Sequence, residues 1–270
     1  MKQALVKDKF PYNNSTGILE AREAIAEYSK HQGILTSSDV ILSSGCSAAV
    51  EMCILALVCP YEGENLLIPR PCYNYKTWTV GLRIETRSYN LDPTKNWEID
   101  LKHMESLIDT KTKAILINNP SNPTGSVFNK DHLLKILAIA EKYRIPIIAD
   151  DIYENFVFPG VEYASISSLS KNVPVLSCSG LSKRFLMPGI RMGWILIHDK
   201  QNVLKDVRQG LINVSGRILG PNSTVQLALP DILRNTPQSY FDNAMEKISV
   251  RLILLMNTTL LKFSIFSFTQ

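Results

Sequence analysis

A lysine and an arginine stand eight positions apart in a segment of small and flexible residues. Lys183 follows small residues at 179 and 180, and Arg191 follows a proline and a glycine at 188 and 189. A lysine that must react reversibly with an aldehyde needs a neutral amine on a mobile stem. A phosphate needs backbone N–H groups, a hydroxyl and a fixed guanidinium, which Ser182 and Arg191 could supply. The spacing is typical of a lysine that holds pyridoxal phosphate, although a surface lysine beside a turn would look the same.

An apolar run at 114–117 ends in a loop rich in asparagine, proline and glycine. Such a run predicts a buried strand followed by a turn. Strand ends are where α/β proteins place their sites. Asn122 precedes Pro123, which biases its backbone toward extended geometry and fixes the direction of its side chain. A plain connection would give the same pattern, so Asn122 is a candidate ligand that other residues must support.

A second apolar run, at 145–149, ends in two carboxylates with a tyrosine close behind. Asp150 could hold the proton of a pyridine nitrogen and so make the ring an electron sink. Asn122 and Tyr153 could then hydrogen-bond the phenolic oxygen at the opposite edge of that ring. The competing interpretation makes Asp150 and Asp151 the cap and first turn of a helix.

The segment at 41–50 predicts a strand, a turn of small residues and the start of a helix. Backbone N–H groups at Gly45, Cys46 and Ser47 would point toward an anion, so a phosphate could bind there. The same segment partly matches the nucleophile turn of a hydrolase, but Ala49 replaces the final glycine of that motif. We therefore favour the phosphate.

Two tyrosines follow a proline-rich turn after the predicted strand at 66–68. Tyr73 could lie flat on a cofactor ring, and Tyr75 is the weaker candidate for that contact. An aromatic residue at this place could also belong to the core or to an interface.

These motifs occur in a fixed order: phosphate turn, aromatic residue, asparagine, aspartate with tyrosine, lysine and arginine. With that order, and with the phrases at 97–101, 118–123 and 193–199, the chain resembles the fold-type I, class I aminotransferases from about residue 10 to about residue 245. The resemblance implies that Lys183 forms the covalent link to pyridoxal 5'-phosphate and that Asp150 pairs with the pyridine nitrogen. The further contacts it implies are Asn122 and Tyr153 at the phenolic oxygen, Tyr73 at the ring face and Arg191 at the phosphate.

The resemblance also implies a homodimer whose active sites lie at the subunit interface, where a tyrosine from the partner reaches the phosphate. Tyr12 matches that tyrosine, although Asn14 stands where the family usually has a proline. Many relatives carry a phosphate-binding serine three residues before the lysine, and Gly180 stands there instead. Any hydroxyl must then come from Ser179 or Ser182.

The composition argues against several classes of protein. The 270 residues are 45% hydrophobic, with 29 basic against 25 acidic residues, so a large core is possible and the excess charge is too small to indicate nucleic acid. The five cysteines and four histidines are not at metal-ligand spacing, and the amino terminus has no apolar signal segment. We expect no metal, no membrane association and a cytoplasmic location.

Apolar periodicity predicts alternating helices and strands, and hence a three-layer α/β fold with a mostly parallel sheet and helices on both faces, as in an aminotransferase large domain. Strands are expected at 40–42, 66–68, 82–89, 114–117, 145–149, 174–178 and 193–197. Helices are expected at 18–30, 47–58, 100–108, 130–143, 200–216 and 222–256, with breaks at Pro221 and Pro230. The predicted regions are an N-terminal segment at 1–16, the cofactor-binding domain at 17–220, the start of interdomain or small-domain helices at 221–257 and an atypical tail at 258–270.

The carboxyl end departs from the family resemblance. Relatives continue into a small domain that supplies an arginine for the substrate's α-carboxylate, and residues 258–270 resemble none of it. We therefore expect a chain truncated at its C-terminus. The apolar run of the tail is interrupted by Arg251, Asn257 and Lys262, which argues against a membrane anchor.

Three functions stay open at this point. The first is transamination of an aromatic L-amino acid such as tyrosine with 2-oxoglutarate, with small-molecule amino and 2-oxo acids as the partners. The second keeps the cofactor but carries out a lyase reaction, since one fold supports several chemistries. The third is a non-catalytic fragment that pairs with a full-length subunit and lends it Tyr12.

Overall fold

A computed structural model describes residues 12–217 and 219–266, with side chains up to residue 254 apart from residue 253. In this part of the chain a mixed sheet is covered on both faces by helices, which confirms the predicted α/β fold. The strands are β1 Val40–Ser43, β2 Asn65–Arg70, β3 Glu85–Asp92, β4 Glu98–Ile99, β5 Thr112–Asn118, β6 Ile147–Asp150, β7 Val175–Gly180 and β8 Gly193–His198. The helices are α1 Leu19–Tyr28, α2 Cys46–Leu57, α3 Tyr75–Gly81, α4 Leu101–Ser106, α5 Lys130–Tyr143, α6 Ile166–Leu169, α7 Lys205–Gly216, α8 Ser223–Asn235 and α9 Gln238–Phe266.

The strands of the described chain form one sheet in the order β1-β8-β7-β6-β5-β2-β3-β4. The five strands β7, β6, β5, β2 and β3 are parallel, whereas β8 runs antiparallel to both of its neighbours and β4 runs antiparallel to β3. Because β8 alone reverses between β7 and β1, the carboxyl ends of β1 and β7 and the start of β8 share one edge of the sheet.

The core divides into layers because alternate residues of each central strand face opposite sides. Leu116 on β5 belongs to the cluster that contains α2 and Leu211 of α7. Its neighbours Ile115 and Ile117 belong to the cluster that contains Met104 of α4 and the apolar face of α5. Strands that are buried on both faces are continuously apolar. This is why the apolar runs in the sequence correctly predicted the central strands.

After the second strand, one predicted strand has different boundaries in the structure and a short helix precedes it that was not predicted. The strand expected at 82–89 is β3, at Glu85–Asp92, and residues 75–81 before it form the short helix α3. Ile84 donates its backbone N–H to Thr79 at 2.9 Å and so prolongs the turn after the helix. A seven-residue helix is too short to show a clear period in sequence.

The last predicted helix, at 222–256, is divided at a different proline from the one expected. Pro230 lies inside α8, and the break falls at Thr236 and Pro237. A residue before proline is disfavoured in helical geometry, and Thr236 accordingly has φ −71° and ψ 115°. Pro221 lies in the connection between α7 and α8, as predicted.

The terminal regions of the chain lie partly outside the described residues. Residues 1–11 of the predicted N-terminal segment and residues 267–270 of the predicted tail are not described. Residues 258–266 belong to the backbone of α9. Among the described residues, no helix is both long enough and apolar enough to cross a bilayer.

Candidate active site

Segments from five parts of the chain meet at the edge of the sheet where the parallel strands end. Asn118 closes β5, Asp150 closes β6 and Gly180 closes β7. Cys46 begins α2 just after β1, and Arg191 precedes the start of β8 at the same edge. Carboxyl ends of parallel strands are the usual position of ligand sites in open α/β sheets.

A cavity of about 230 Å³ opens at this edge. Most residues that the sequence analysis selected share its wall. The lining residues are Cys46, Ser47, Tyr73, Tyr75, Asn118, Asn122, Asp150, Ile152, Tyr153, Ser182, Lys183, Pro188 and Arg191. Of the other candidates, Gly45 lies behind the Arg191 guanidinium, and Tyr12 is 89% exposed.

Asp150 is a buried carboxylate with donors on both oxygens. Its Oδ2 accepts a 2.6 Å hydrogen bond from the Tyr75 hydroxyl. Its Oδ1 accepts from the Cys46 thiol at 3.4 Å and from the Ile152 backbone N–H at 3.2 Å. Burial raises the pKa of Asp150, while these hydrogen bonds and the charge of Lys183 act in the opposite direction.

Asn118, which the sequence analysis did not select, ties two predicted residues together. Its Nδ2 donates to the backbone carbonyl of Asp150 at 2.9 Å, and its Oδ1 accepts from the Asn122 N–H at 2.7 Å. One amide therefore sets the position of both the carboxylate strand end and the Asn122 loop. The signal was a polar residue at the last position of an apolar strand.

Lys183 and Tyr153 face each other across the cavity. The Lys183 Nζ lies 5.4 Å from the centre of the Tyr153 ring. Leu181 and Phe185 are buried on either side of Lys183, while the lysine itself is exposed toward the opening. The buried side chains of Leu181 and Phe185 fix the backbone at Lys183, while the end of the lysine side chain stays mobile.

The predicted phosphate turn places a helix start against a guanidinium. Gly45 precedes α2 with φ 92°, a left-handed conformation that favours glycine. A methyl group at Gly45 would come within 2.4 Å of an Arg191 nitrogen. Arg191 is held by donation to the Pro188 carbonyl at 2.8 Å and to the Ser44 carbonyl at 3.2 Å. A helix start beside a fixed guanidinium can bind an anion.

The structure separates the two serines that could supply a hydroxyl. Ser182 lines the cavity, whereas Ser179 is buried and donates to Glu154 Oε1 at 3.1 Å. A side chain at Gly180 would meet the Met192 carbonyl oxygen at 2.6 Å. Of these three positions, only Ser182 both carries a hydroxyl and lines the cavity.

The two tyrosines after β2 have different surroundings. Tyr73 is 42% exposed at the mouth of the cavity, whereas Tyr75 is fully buried. Their rings meet edge to face with centroids 6.2 Å apart. Tyr73 is thus free to offer a ring face to a ligand, while the hydroxyl of Tyr75 is directed at Asp150.

The carboxylate after Asp150 belongs to a buried acidic network. Asp151 accepts from Ser177 Oγ at 2.6 Å, and burial, together with the charge of Glu154, raises the pKa of Asp151 to about 8. Glu154 accepts from Gln32 at 2.6 Å and lies 3.1 Å from His31 Nε2. Residues 152–155 form a turn and no helix begins at Asp150 or Asp151, so the interpretation of these two residues as a helix cap is wrong.

Comparison with known proteins identifies the family. The family model described as aminotransferase class I and II matches residues 4–258 of the chain. The chain belongs to this aminotransferase family. Its place there agrees with the sheet order and with the position of the cavity at the strand ends.

Individual relatives of this aminotransferase chain include proteins that act on different amino acids. It is 50% identical to the tyrosine aminotransferase of Mus musculus over 249 aligned residues. The aligned region covers 91% of this chain and 54% of that protein. Its fold superposes on tyrosine aminotransferase from Leishmania infantum with a TM-score of 0.89 and 31% identity, covering 92% of this chain and 69% of that one. The alanine aminotransferase from Pyrococcus furiosus gives a TM-score of 0.89 and 32% identity, covering 94% and 64% of the two chains. The chain spans about half the length of the curated relatives it matches.

Proposed function

We propose that the chain binds pyridoxal 5'-phosphate in the cavity at the strand ends and takes part in the transamination of an aromatic L-amino acid, tyrosine, with 2-oxoglutarate. The observation that carries the proposal is the convergence of Lys183, Asp150 and Arg191 on one cavity of about 230 Å³. These residues are separated in sequence, and only the fold brings them together.

The donor set of the cavity fits this cofactor at three points. Asp150 offers a buried carboxylate to a protonated ring nitrogen, and Asn122 and Tyr153 offer polar groups for the phenolic oxygen. At the other end, the start of α2 and the Arg191 guanidinium form a cradle for a dianion. The Lys183 amine would meet the aldehyde of the cofactor, the Asp150 carboxylate its pyridine nitrogen, and the anion site its phosphate.

The bound cofactor would supply an electron sink for cleavage of the substrate's α C–H bond. Asp150 would hold the proton of the ring nitrogen, because a buried carboxylate stabilises a neighbouring positive charge. Lys183 would hold the cofactor through its aldehyde carbon, and the same amine, when neutral and free, would move the α-proton as a general base. Anchors at Leu181 and Phe185 would keep its amine within reach throughout.

Tyrosine as the amino donor is supported by the relatives that bear its name in their description. A homodimer is supported by Tyr12, which is 89% exposed and thus available to a neighbouring subunit. All five cysteines lie in the described part of the chain and are free thiols, which supports a cytoplasmic location.

The test is an assay of the purified chain, supplied with pyridoxal phosphate, tyrosine and 2-oxoglutarate. We expect glutamate and the 2-oxo acid of tyrosine in equal amounts, lost in Lys183→Ala and retained in Lys130→Ala. Lys130 is a suitable control because its side chain is 56% exposed and its amine pairs with Glu162 on the surface. Release of ammonia and pyruvate would instead indicate a lyase. Cofactor binding without any product would contradict catalysis by this chain alone and favour the non-catalytic subunit.

A further inference from the structure

The Asp150 carboxylate accepts hydrogen bonds from protein groups that need not contact a ligand themselves. A carboxylate has about four lone-pair sites. Three donors from the protein reach Asp150: the Tyr75 hydroxyl, the Cys46 thiol and the Ile152 N–H. The donors come from three elements and leave about one acceptor site for the cavity. A carboxylate held in this way has little rotational freedom.

The shortest of these bonds comes from a tyrosine that cannot turn away. Tyr75 is fully buried at the first position of α3. Its ring meets Trp78 edge to face at 5.6 Å and Tyr73 at 6.2 Å. Thr79 Oγ1 donates to the Tyr75 backbone carbonyl at 3.1 Å. The ring is therefore fixed by packing, and its hydroxyl is delivered to Asp150 at 2.6 Å.

The direction of proton donation follows from the surroundings of the donors. Burial raises the pKa of Tyr75 and that of Cys46 well above their usual values, and the negative charge of Asp150 adds to the effect. Both side chains are thus neutral and keep their protons. Because each can donate its proton and Asp150 is the common acceptor, the arrangement favours the ionised form of Asp150 against the cost of its burial.

We propose that Tyr75, assisted by Cys46, is a positioning residue that holds Asp150 as an oriented, ionised carboxylate for the N–H of a bound pyridinium ring. The inference rests on the proposed function, since it concerns the residues that orient Asp150 toward the ring nitrogen of the cofactor. Tyr75 does not itself touch the ring nitrogen in this account. It acts through Asp150 alone.

The test is a double-mutant cycle of Tyr75→Phe and Asp150→Asn in the full chain. Tyr89→Phe is the matched control, because Tyr89 is also fully buried and its hydroxyl donates to the Leu116 carbonyl at 2.7 Å, away from the cavity. Two quantities are measured for each variant: the dissociation constant for pyridoxal phosphate and the urea midpoint of the cofactor-free protein. Both are recorded at about pH 8 and about pH 5.

We expect Tyr75→Phe to weaken cofactor binding about tenfold in the wild-type background and less than about twofold in the Asp150→Asn background. The loss of urea midpoint in the cofactor-free protein should be larger at high pH than at low pH. The reason is that the Tyr75 hydrogen bond lowers the pKa of Asp150, so the stability it gives is present while Asp150 is ionised and is lost as the pH falls. The Tyr89→Phe effects should be independent of both pH and Asp150.

Equal effects of Tyr75→Phe in both backgrounds, with no dependence on pH, would overturn the inference and reduce Tyr75 to a packing residue. If wild-type protein fails to bind the cofactor, the proposed function fails, but coupling of Tyr75 with Asp150 in the urea midpoint still decides whether Tyr75 holds the carboxylate. If Tyr75→Phe gives no folded protein, Cys46→Ala removes the second donor instead. Its effect on the urea midpoint must then disappear in the Asp150→Asn background, and an unchanged effect would contradict the account.

Discussion

Gly193, at the start of β8, lies directly against the backbone of Gly45, at the start of the phosphate turn. A methyl group on Gly193 would come within 2.4 Å of the Gly45 carbonyl carbon and within 2.6 Å of the Cys46 nitrogen. Backbone atoms cannot move aside as a flexible side chain can. The strand and the turn are therefore in contact only because residue 193 has no side chain, and the position of the anion cradle depends on that contact.

Gly193→Ala should displace the phosphate turn and weaken the binding of pyridoxal phosphate at least about tenfold, because the N–H groups at the start of α2 lose their alignment. The control is Gly189→Ala, since a methyl group at Gly189 meets no atom within 4 Å. Equilibrium dialysis with the cofactor measures both variants. Equal affinities for the two variants would show that the turn tolerates the displacement.

Arg191→Lys should reduce affinity for pyridoxal phosphate about tenfold while keeping the positive charge. An ammonium group cannot bond the Pro188 and Ser44 carbonyls together while also contacting a phosphate in bidentate geometry. Arg234→Lys is the control, because Arg234 pairs with Glu27 at an exposed site far along α8. The affinities for inorganic phosphate should follow the same order. An Arg191→Lys variant with wild-type affinity for both ligands would remove Arg191 from the cradle.

Asp151→Asn should stabilise the protein increasingly as the pH rises from about 4 to about 8. The pKa of Asp151 is raised by burial and by Glu154 to about 8, above its value in the unfolded chain. In that window the unfolded state releases a proton that the folded state retains, so wild-type stability falls with rising pH. The variant has no such proton, and the difference should grow by up to about 1.4 kcal/mol per pH unit.

Urea unfolding across this pH range measures the Asp151 effect, with Asp109→Asn as the control. Burial raises the pKa of Asp109, but hydrogen bonds from Asn65 and Arg87 outweigh this effect and lower the pKa to about 2. Asp109 is therefore ionised in the folded protein throughout the window. The Asp109→Asn difference should therefore be constant above about pH 5, where this carboxyl is ionised in the unfolded chain as well. A difference for Asp151→Asn that is equally constant would mean that Asp151 is ionised in the folded protein at all these pH values.

Elements with a strong local pattern were predictable from the sequence. Helix α5 was expected at 130–143 and spans Lys130–Tyr143, because Asn129 caps its first turn and its apolar residues recur at helical spacing. Pro230 misled the prediction because tertiary packing of α8 outweighs the cost of one missing hydrogen bond. Leu229 beside it is fully buried in the cluster that includes α1.

Residues of the candidate site were predictable where the residue type itself indicates the chemistry. They were not predictable where the role of a residue depends on contacts that only the fold creates. Lys183 and Asp150 stood out because an amine or a carboxylate at a strand end or flexible loop is conspicuous. The roles of Asn118 and Tyr75 depend on contacts with Asp150 across 32 and 75 residues of sequence, which no local pattern encodes. The same holds for the part-buried pairing of Glu154 with His31, which are 123 residues apart.

Lys183 is the residue that we propose binds the cofactor aldehyde. The most direct measurement is borohydride reduction of the purified chain with pyridoxal phosphate, followed by digestion and mass spectrometry of the labelled peptides. We expect the label on Lys183, in an amount that matches the loss of the cofactor's absorption band, and no stoichiometric label in Lys183→Ala. Labelling spread over surface lysines such as Lys130, with Lys183 unmodified, would contradict the account.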